Sequence, residues 1–275
     1  MPCSLRLACL LAALAAGTAA ERAQATDLAR HYAGLEASLV SMGRLRQDPR
    51  PADAAYGRAR LVQSFAEIAL RHEYGGRGAV PLMRWEEPVR VGLRFGASVG
   101  ANQQREVAAS VARYARRLGE VTGHPVAMTT DAPNFHVLML TDAERRGIGP
   151  FLRAHAPELS AASIARIERM PPNVSCMVVA VPHADRRRGY HSAVAILRAE
   201  HEPMMRRACI EEELAQGLGL SNDCREARPS IFNDDEEFGV LTAHDEDLLR
   251  LLYSPALRSG MGAAEAATLV ARLAS

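Results

Sequence analysis

From residue 89 onward, short strand-like segments alternate with longer helix-like segments, and this order restricts the fold of the chain. Residues 89–95 alternate apolar and polar side chains, as a half-buried strand does. Residues 103–122 then place apolar side chains on one helical face, namely Val107, Val111, Tyr114, Ala115, Leu118 and Val121. A strand followed by an amphipathic helix predicts a helix packed on a sheet, and therefore an α+β fold.

Three further strands and four further helical regions are predicted downstream. The strands are expected at residues 134–140, 176–181 and 193–197, which with the first gives a mixed sheet of about four strands. Helical patterns cover 148–168, 204–220, 242–253 and 263–273. Thr242 precedes Asp245 by three residues, which is close to a capping box and predicts that a helix begins at Thr242.

The first 25 residues have the composition of a secretory signal peptide. Arg6 is followed by an apolar run over residues 7–16 and then by small residues, and cleavage is expected after Ala20 or Ala25. No later stretch approaches the ~20 apolar residues of a membrane-spanning helix. We therefore expect a periplasmic or secreted protein without a transmembrane segment.

Residues 26–78 predict a helical hairpin. Two amphipathic segments are separated by a break at residues 48–51, and the glycines Gly75, Gly76 and Gly78 follow as a linker. The main domain is then expected over residues 79–275. In a structural envelope protein, the hairpin would serve assembly.

Removal of the signal peptide takes Cys3 and Cys9 with it and leaves three cysteines. In an oxidising compartment a pair of them is expected to form a disulfide. A bridge from Cys176 to Cys209 would tie a helix to the sheet, whereas a bridge from Cys209 to Cys224 would clamp two ends of one helix. The spacing leaves both pairings open.

One segment has the spacing of a zinc-binding helix without its histidines. Zinc peptidases of the metzincin class carry the pattern H-E-x-x-H-x-x-G-x-x-H, in which the histidines bind zinc and the glutamate acts as general base. In residues 212–223, Glu213 occupies the position of the base and Gly219 that of the turning glycine. The three histidine positions hold Glu212, Gln216 and Asn222.

Residues 80–260 therefore resemble a metzincin-type zincin domain that has lost its zinc ligands. Phe232 stands where the resemblance expects a methionine beneath the metal. The chain is also similar to a proteobacterial family known only as domain of unknown function 2927, through residues 84–85, 88–96, 209–216, 228–235 and 259–261. The resemblance implies a cleft lined by the following residues: Glu212, Glu213, Gln216, Asn222, Asp223, Arg228, Phe232, Asn233 and Asp234.

Oxygen donors at the ligand positions have a chemical consequence. Zinc prefers imidazole and thiolate ligands, whereas carboxylate and amide oxygens suit calcium or magnesium. We expect no cofactor, with weak calcium or magnesium binding as the one possibility, and a non-catalytic protein that binds a peptide or a cell-envelope component. The alternative is a hydrolase in which Glu213 is the general base beside a non-standard metal held by Glu212, Gln216 and Asp223.

Other polar features are less specific. The net charge of +1 provides no field for nucleic acid. His183, His191 and His201 flank two predicted strands and are a candidate joint site. The acidic loop at residues 233–237 does not match an EF-hand and is interpreted as a solvated loop beside the cleft.

Overall fold

The computed structural model describes residues 19–71, 78–233 and 235–274. Most of the predicted signal peptide, Gly75, Gly76 and Asp234 lie outside them. The helices are α1 (Ala19–Ser41), α2 (Arg58–Ile68), α3 (Ala101–Thr122), α4 (Asp142–Arg146), α5 (Gly149–His155), α6 (Ala161–Glu168), α7 (Pro203–Gly217), α8 (Ala243–Leu252) and α9 (Ala263–Leu273). The strands are β1 (Val89–Phe95), β2 (Val126–Met128), β3 (Phe135–Leu140), β4 (Cys176–Pro182) and β5 (Tyr190–Arg198).

The strands form one five-stranded sheet in the order β2-β1-β3-β5-β4. Neighbouring strands are parallel except β4, which runs antiparallel to β5 and forms one edge. The expected four strands are present. The additional strand, β2, has three residues, which is too short for an apolar alternation to be visible in the sequence.

Helices cover both faces of the sheet, so the molecule is a mixed α/β structure. Alternate residues of β3 point into different clusters: Phe135, Val137 and Met139 join the core beneath α3, α7 and α8, whereas Leu138 and Leu140 pack with α5 and α6. All six residues of β3 are buried. The central strand is therefore apolar throughout, as expected for a strand covered on both sides.

The two N-terminal helices pack against different parts of the main body. Helix α2 lies against α8 and α9, whereas α1 lies beside α4. The Tyr32 hydroxyl of α1 donates to the carbonyl of Pro172 at 2.8 Å. The expected hairpin is thus corrected in one respect: both helices form, but their apolar faces are buried by the main body rather than chiefly by each other. Within the described parts of the chain, none of the helices combines the length and the apolar composition that a membrane span requires.

A buried carboxylate joins the start of α8 to the loop that follows α7. Asp245 is fully buried and accepts hydrogen bonds from the Thr242 backbone N–H (2.9 Å), the Ser230 hydroxyl (2.5 Å) and the Ile231 N–H (3.0 Å). The Thr242 hydroxyl accepts in return from the Asp245 N–H, which completes the capping box predicted from the sequence. One side chain therefore fixes both a helix start and the course of a loop.

Replacing Asp245 is expected to destabilise the fold strongly. Asp245→Ala leaves several buried donors without an acceptor, and we expect the free energy of unfolding to fall by about 3 kcal/mol in urea denaturation. The control is Glu265→Gln, an exposed acidic residue in the first turn of α9, which is expected to change stability by less than about 0.5 kcal/mol. Equal effects of the two substitutions would contradict this role.

Candidate functional site

The end of α7 lies unusually close to the sheet and to the segment before β1. Gly219 has a φ of +126°, and a methyl group there would overlap the carbonyl oxygen of Met83. A methyl group at Gly217 would likewise overlap the ring of Phe135. The indole N–H of Trp85 donates to the Gly217 carbonyl at 2.8 Å, and the Tyr253 hydroxyl donates to the Leu218 carbonyl at 2.9 Å. The turn expected at Gly219 is therefore present and is held from both sides.

Glu212 and Glu213 lie beside a disulfide bond. Cys176 at the start of β4 is bonded to Cys209 of α7, with a Cα–Cα distance of 5.7 Å. One carboxylate oxygen of each glutamate and the Cys176 sulfur lie within 4.8 Å of one another. The first of the two pairings is thus confirmed, and Cys224 is a free, buried cysteine. The disulfide ties α7 to the sheet edge, as that pairing implied.

Gln216 and Asn222 are engaged with other parts of the protein. The Gln216 amide donates to Asp223 Oδ1 at 2.9 Å, and its side chain is buried. The Asn222 amide donates to the carbonyl oxygens of Glu67 (3.0 Å) and Asp223 (2.8 Å). Asn222 thereby anchors the chain after the turn to the end of α2. The structure brings Gln216 and Asp223 together, but it uses Asn222 as an anchor on α2.

The loop after α7 packs against the segment between α1 and α2. Arg228 donates to Glu237 at 2.6 Å and to Asp53 at 3.3 Å. The hydrogen bonds from Arg228 hold the pKa of the Glu237 carboxyl below its usual value. Arg46 forms ion pairs with the same two carboxylates. The expectation of a solvated acidic loop is therefore wrong for Glu237, which binds arginines.

Phe232 and Asn233 have structural contacts within the same loop. Phe232 is fully buried, and its carbonyl accepts from the Cys224 N–H at 2.8 Å. The Asn233 amide donates to the Ala227 carbonyl at 3.1 Å, and its oxygen accepts from the Asp235 N–H at 3.3 Å. These contacts shape the loop itself. Asp234 lies in the part of the chain that is not described.

A cavity of about 390 Å³ lies at the free edge of β4. Its walls come from α6, from three consecutive residues of β4, and from the region of the α7 turn. The lining residues are Ser160, Ala162, Ser163, Arg166, Val178, Val179, Ala180, Tyr190, Gln216 and Ser221. Gln216 is the one residue of the predicted cleft among them. The other lining residues were not predicted from the sequence. For Ser160 a local signal exists, because a serine directly before a helix is a common N-cap, and Ser160 does cap α6 by accepting from the Ser163 N–H.

Two of the three candidate histidines converge. The rings of His183 and His191 make an edge-to-face contact with centroids 4.5 Å apart, and His191 Nε2 lies 2.9 Å from Glu158. His201 lies elsewhere, against the ring of Tyr32 and 3.7 Å from the Cys209 sulfur. The joint site of three histidines is therefore wrong. Burial, together with the charges of Arg198 and Arg206, lowers the pKa of His201 to about 3.

The described arrangement defines a mixed α/β protein whose mostly parallel sheet ends in an antiparallel edge strand bordering a cavity. The chain belongs to the family described as "Protein of unknown function (DUF2927)", whose model matches residues 58–272, more than half of the sequence. The matched region begins at α2 and ends in α9. Neither the curated proteins nor the solved structures contain a match to the chain.

The turn after α7 is expected to tolerate no side chain at Gly219. Gly219→Ala requires a left-handed φ and meets the Met83 carbonyl, and we expect a loss of about 2 kcal/mol or more in the free energy of unfolding. Gly34→Ala is the control, because Gly34 lies in α1 with open space around it, and it is expected to stabilise by about 0.5 kcal/mol. Urea denaturation of both variants provides the measurement.

His201 is expected to make stability fall in acid. Its folded pKa of about 3 lies below the ~6.5 of an unfolded chain, so between these pH values the unfolded chain binds a proton that the folded chain does not. The stabilisation is complete above pH ~6.5 and decreases as the pH falls, by up to about 1.4 kcal/mol per pH unit.

The measurement is urea denaturation between pH 6.5 and pH 4. His201→Gln is expected to show a smaller pH slope than the wild type, whereas His31→Gln, a change at an exposed histidine of α1, is expected to keep the wild-type slope. Coincident slopes for wild type and His201→Gln would refute the assignment.

Proposed function

We propose that this protein is an exported, non-catalytic binding protein. Its ligand is a peptide, or a cell-envelope component that carries one, bound in extended form in the cavity along β4. We further propose that its main domain is a zincin-like domain of the metzincin type that has lost its zinc ligands. The single observation that carries the binding proposal is the position of the cavity, which borders the edge strand.

An edge strand is a natural binding surface for an extended peptide. Residues 178–180 line the cavity as three successive strand residues, and β4 has a hydrogen-bonded neighbour on one side, β5. An edge strand directs alternate backbone N–H and C=O groups away from its partner, and a peptide can add to them as a further strand. The cavity places this backbone opposite α6, so a bound peptide would lie between the strand and the helix.

The cavity walls combine apolar and hydrogen-bonding groups. Val178 and Val179 offer apolar surface, whereas Ser163, Ser221 and Gln216 offer hydroxyl and amide groups. Backbone pairing supplies affinity in such complexes, and side-chain pockets supply selectivity. A mixed lining of this kind suits a peptide better than a purely apolar ligand.

The contacts of α7 favour binding over zinc-dependent hydrolysis. Two of the three ligand positions hold amide side chains, and those of Gln216 and Asn222 bind Asp223 and the end of α2. Amide and carboxylate oxygens favour calcium or magnesium, which we expect to bind weakly, and zinc supplies the acidified water that Glu213 would need as a base. The rival proposal remains a hydrolase that uses Glu213 with a non-standard metal.

Two features support export to the periplasm or beyond. Residues 1–25 have the composition of a signal peptide, and the Cys176–Cys209 disulfide is of the kind that persists in oxidising compartments. An envelope location would give the binding site access to peptides of secreted and surface proteins.

A matched pair of substitutions on α6 tests the binding site. Ala162 lines the cavity, whereas its exposed neighbour Ala161 does not. The probe is an immobilised array of random decapeptides incubated with the purified protein. We expect selective binding by the wild type, a loss of at least about tenfold in Ala162→Trp because the indole fills the cavity, and wild-type binding in Ala161→Trp.

Mass spectrometry of the bound peptides separates binding from hydrolysis. Intact peptides support a binding protein. Cleaved peptides whose cleavage disappears in Glu213→Gln, with folding retained, would establish the rival hydrolase. The absence of selective binding, or equal binding by the two tryptophan variants, would reject the cavity as the peptide site.

A further inference from the structure

We infer that the Cys176–Cys209 disulfide closes a zinc site, and that its reduction opens that site to one zinc ion held by the two cysteines with Glu212 and Glu213. This site overlaps the metzincin-like pattern at Glu212, one of its three ligand positions, and at Glu213, the position of the base, but its two sulfur ligands lie outside that pattern. It also does not depend on peptide binding in the cavity, so the two proposals can fail separately.

The donors come from two elements that face each other. Cys209, Glu212 and Glu213 stand at positions i, i+3 and i+4 of α7, which places them on one side of the helix. Cys176 begins β4 on the opposite side, and its sulfur lies within 4.8 Å of a carboxylate oxygen from each glutamate. Three donor groups from two parts of the chain thus already lie close together, and the sulfur of the fourth, Cys209, is bonded to that of Cys176.

The disulfide determines whether these groups can bind a metal. A disulfide sulfur carries no ionisable proton and is a poor ligand, whereas a cysteine thiolate is among the preferred ligands of zinc. Two thiolates and two carboxylate oxygens complete the four positions of a tetrahedral zinc site. The 5.7 Å between the Cα atoms lets both sulfurs face one ion after modest rotation of the side chains.

The burial of the site favours a divalent ion in the reduced state. Cys209 is 1% exposed and Cys176 is 9% exposed, so thiolates formed here would have little contact with water, and the neighbouring Glu213 is 4% exposed. Buried charges are retained when they are paired or coordinate a metal. Zinc would offset two of the four negative charges of the two thiolates and two carboxylates, and it would replace the lost covalent link between α7 and β4.

The redox step balances with a dithiol as reductant. The dithiol transfers two electrons and two protons to the disulfide, the S–S bond breaks, and the reductant becomes a disulfide itself. The protein then carries two thiols. Binding of zinc releases the two thiol protons, so that both sulfurs coordinate as thiolates.

The experiment titrates zinc into the full chain carrying Cys3→Ser, Cys9→Ser and Cys224→Ser, which leaves Cys176 and Cys209 as its two cysteines. Isothermal titration calorimetry and native mass spectrometry compare the oxidised protein with protein reduced by a water-soluble phosphine. We expect one zinc per reduced chain with micromolar or tighter affinity, and at least a hundredfold weaker binding to the oxidised chain. Cobalt added to the reduced protein should give the absorption of thiolate-to-cobalt charge transfer.

Glutamate variants identify the remaining ligands. Glu212→Gln with Glu213→Gln is prepared with the disulfide intact, so that folding is verified before reduction, and is expected to weaken zinc binding at least tenfold. Glu202→Gln at the exposed start of α7 is the matched control and should bind as the parent does. Equal zinc binding by oxidised and reduced protein, no binding after reduction, or no effect of the double substitution would overturn the inference.

Discussion

The close approach of the last turn of α7 to the sheet determines the arrangement of the whole candidate site. Gly217 lies against the ring of Phe135, and Gly219 lies against the carbonyl of Met83, with no room for a side chain at either position. Trp85 and Tyr253 donate hydrogen bonds to the carbonyl groups that the helix end leaves without partners. Because α7 is held here at one end and by the Cys176–Cys209 bridge further along, its remaining side chains have fixed positions relative to β4.

This fixed helix and the antiparallel edge strand together produce the cavity. A parallel neighbour beyond β5 would require a crossover connection, whereas β4 joins β5 through the connection at residues 183–189, which contains one 3₁₀ turn, and leaves its outer edge beside α6. The same strand therefore provides both a structural link, through Cys176, and the binding surface at residues 178–180. The chemistry proposed for the disulfide and the binding proposed for the cavity lie on successive segments of one strand.

Prediction from the sequence succeeds for helices and strands whose signal lies within one segment. It fails where packing between distant segments determines which elements are in contact. The strands β1, β3, β4 and β5, and the helices α3, α8 and α9, are confirmed because their apolar periods and the Thr242–Asp245 cap lie within one segment. The packing partners of α1 and α2 are distant in the sequence. Instead of forming the expected hairpin, α1 packs beside α4 and α2 packs against α8 and α9. Within the site, the turn at Gly219 was predicted from the metzincin-like spacing, and its positive φ explains why a glycine stands there. The anchoring of Asn222 on α2 was not, since an amide gives no sequence signal for its partner.

The two-sided burial of β3 limits how its length can change during evolution. Odd-numbered residues from Phe135 to Met139 belong to one core cluster, and Leu138 and Leu140 belong to the other. A one-residue insertion or deletion near its start would exchange these two sets. Each side chain would then face the opposite core, where the neighbouring side chains are packed around a residue of different shape. Relatives of this protein are therefore expected to vary in the connections around β3 while keeping its residue count.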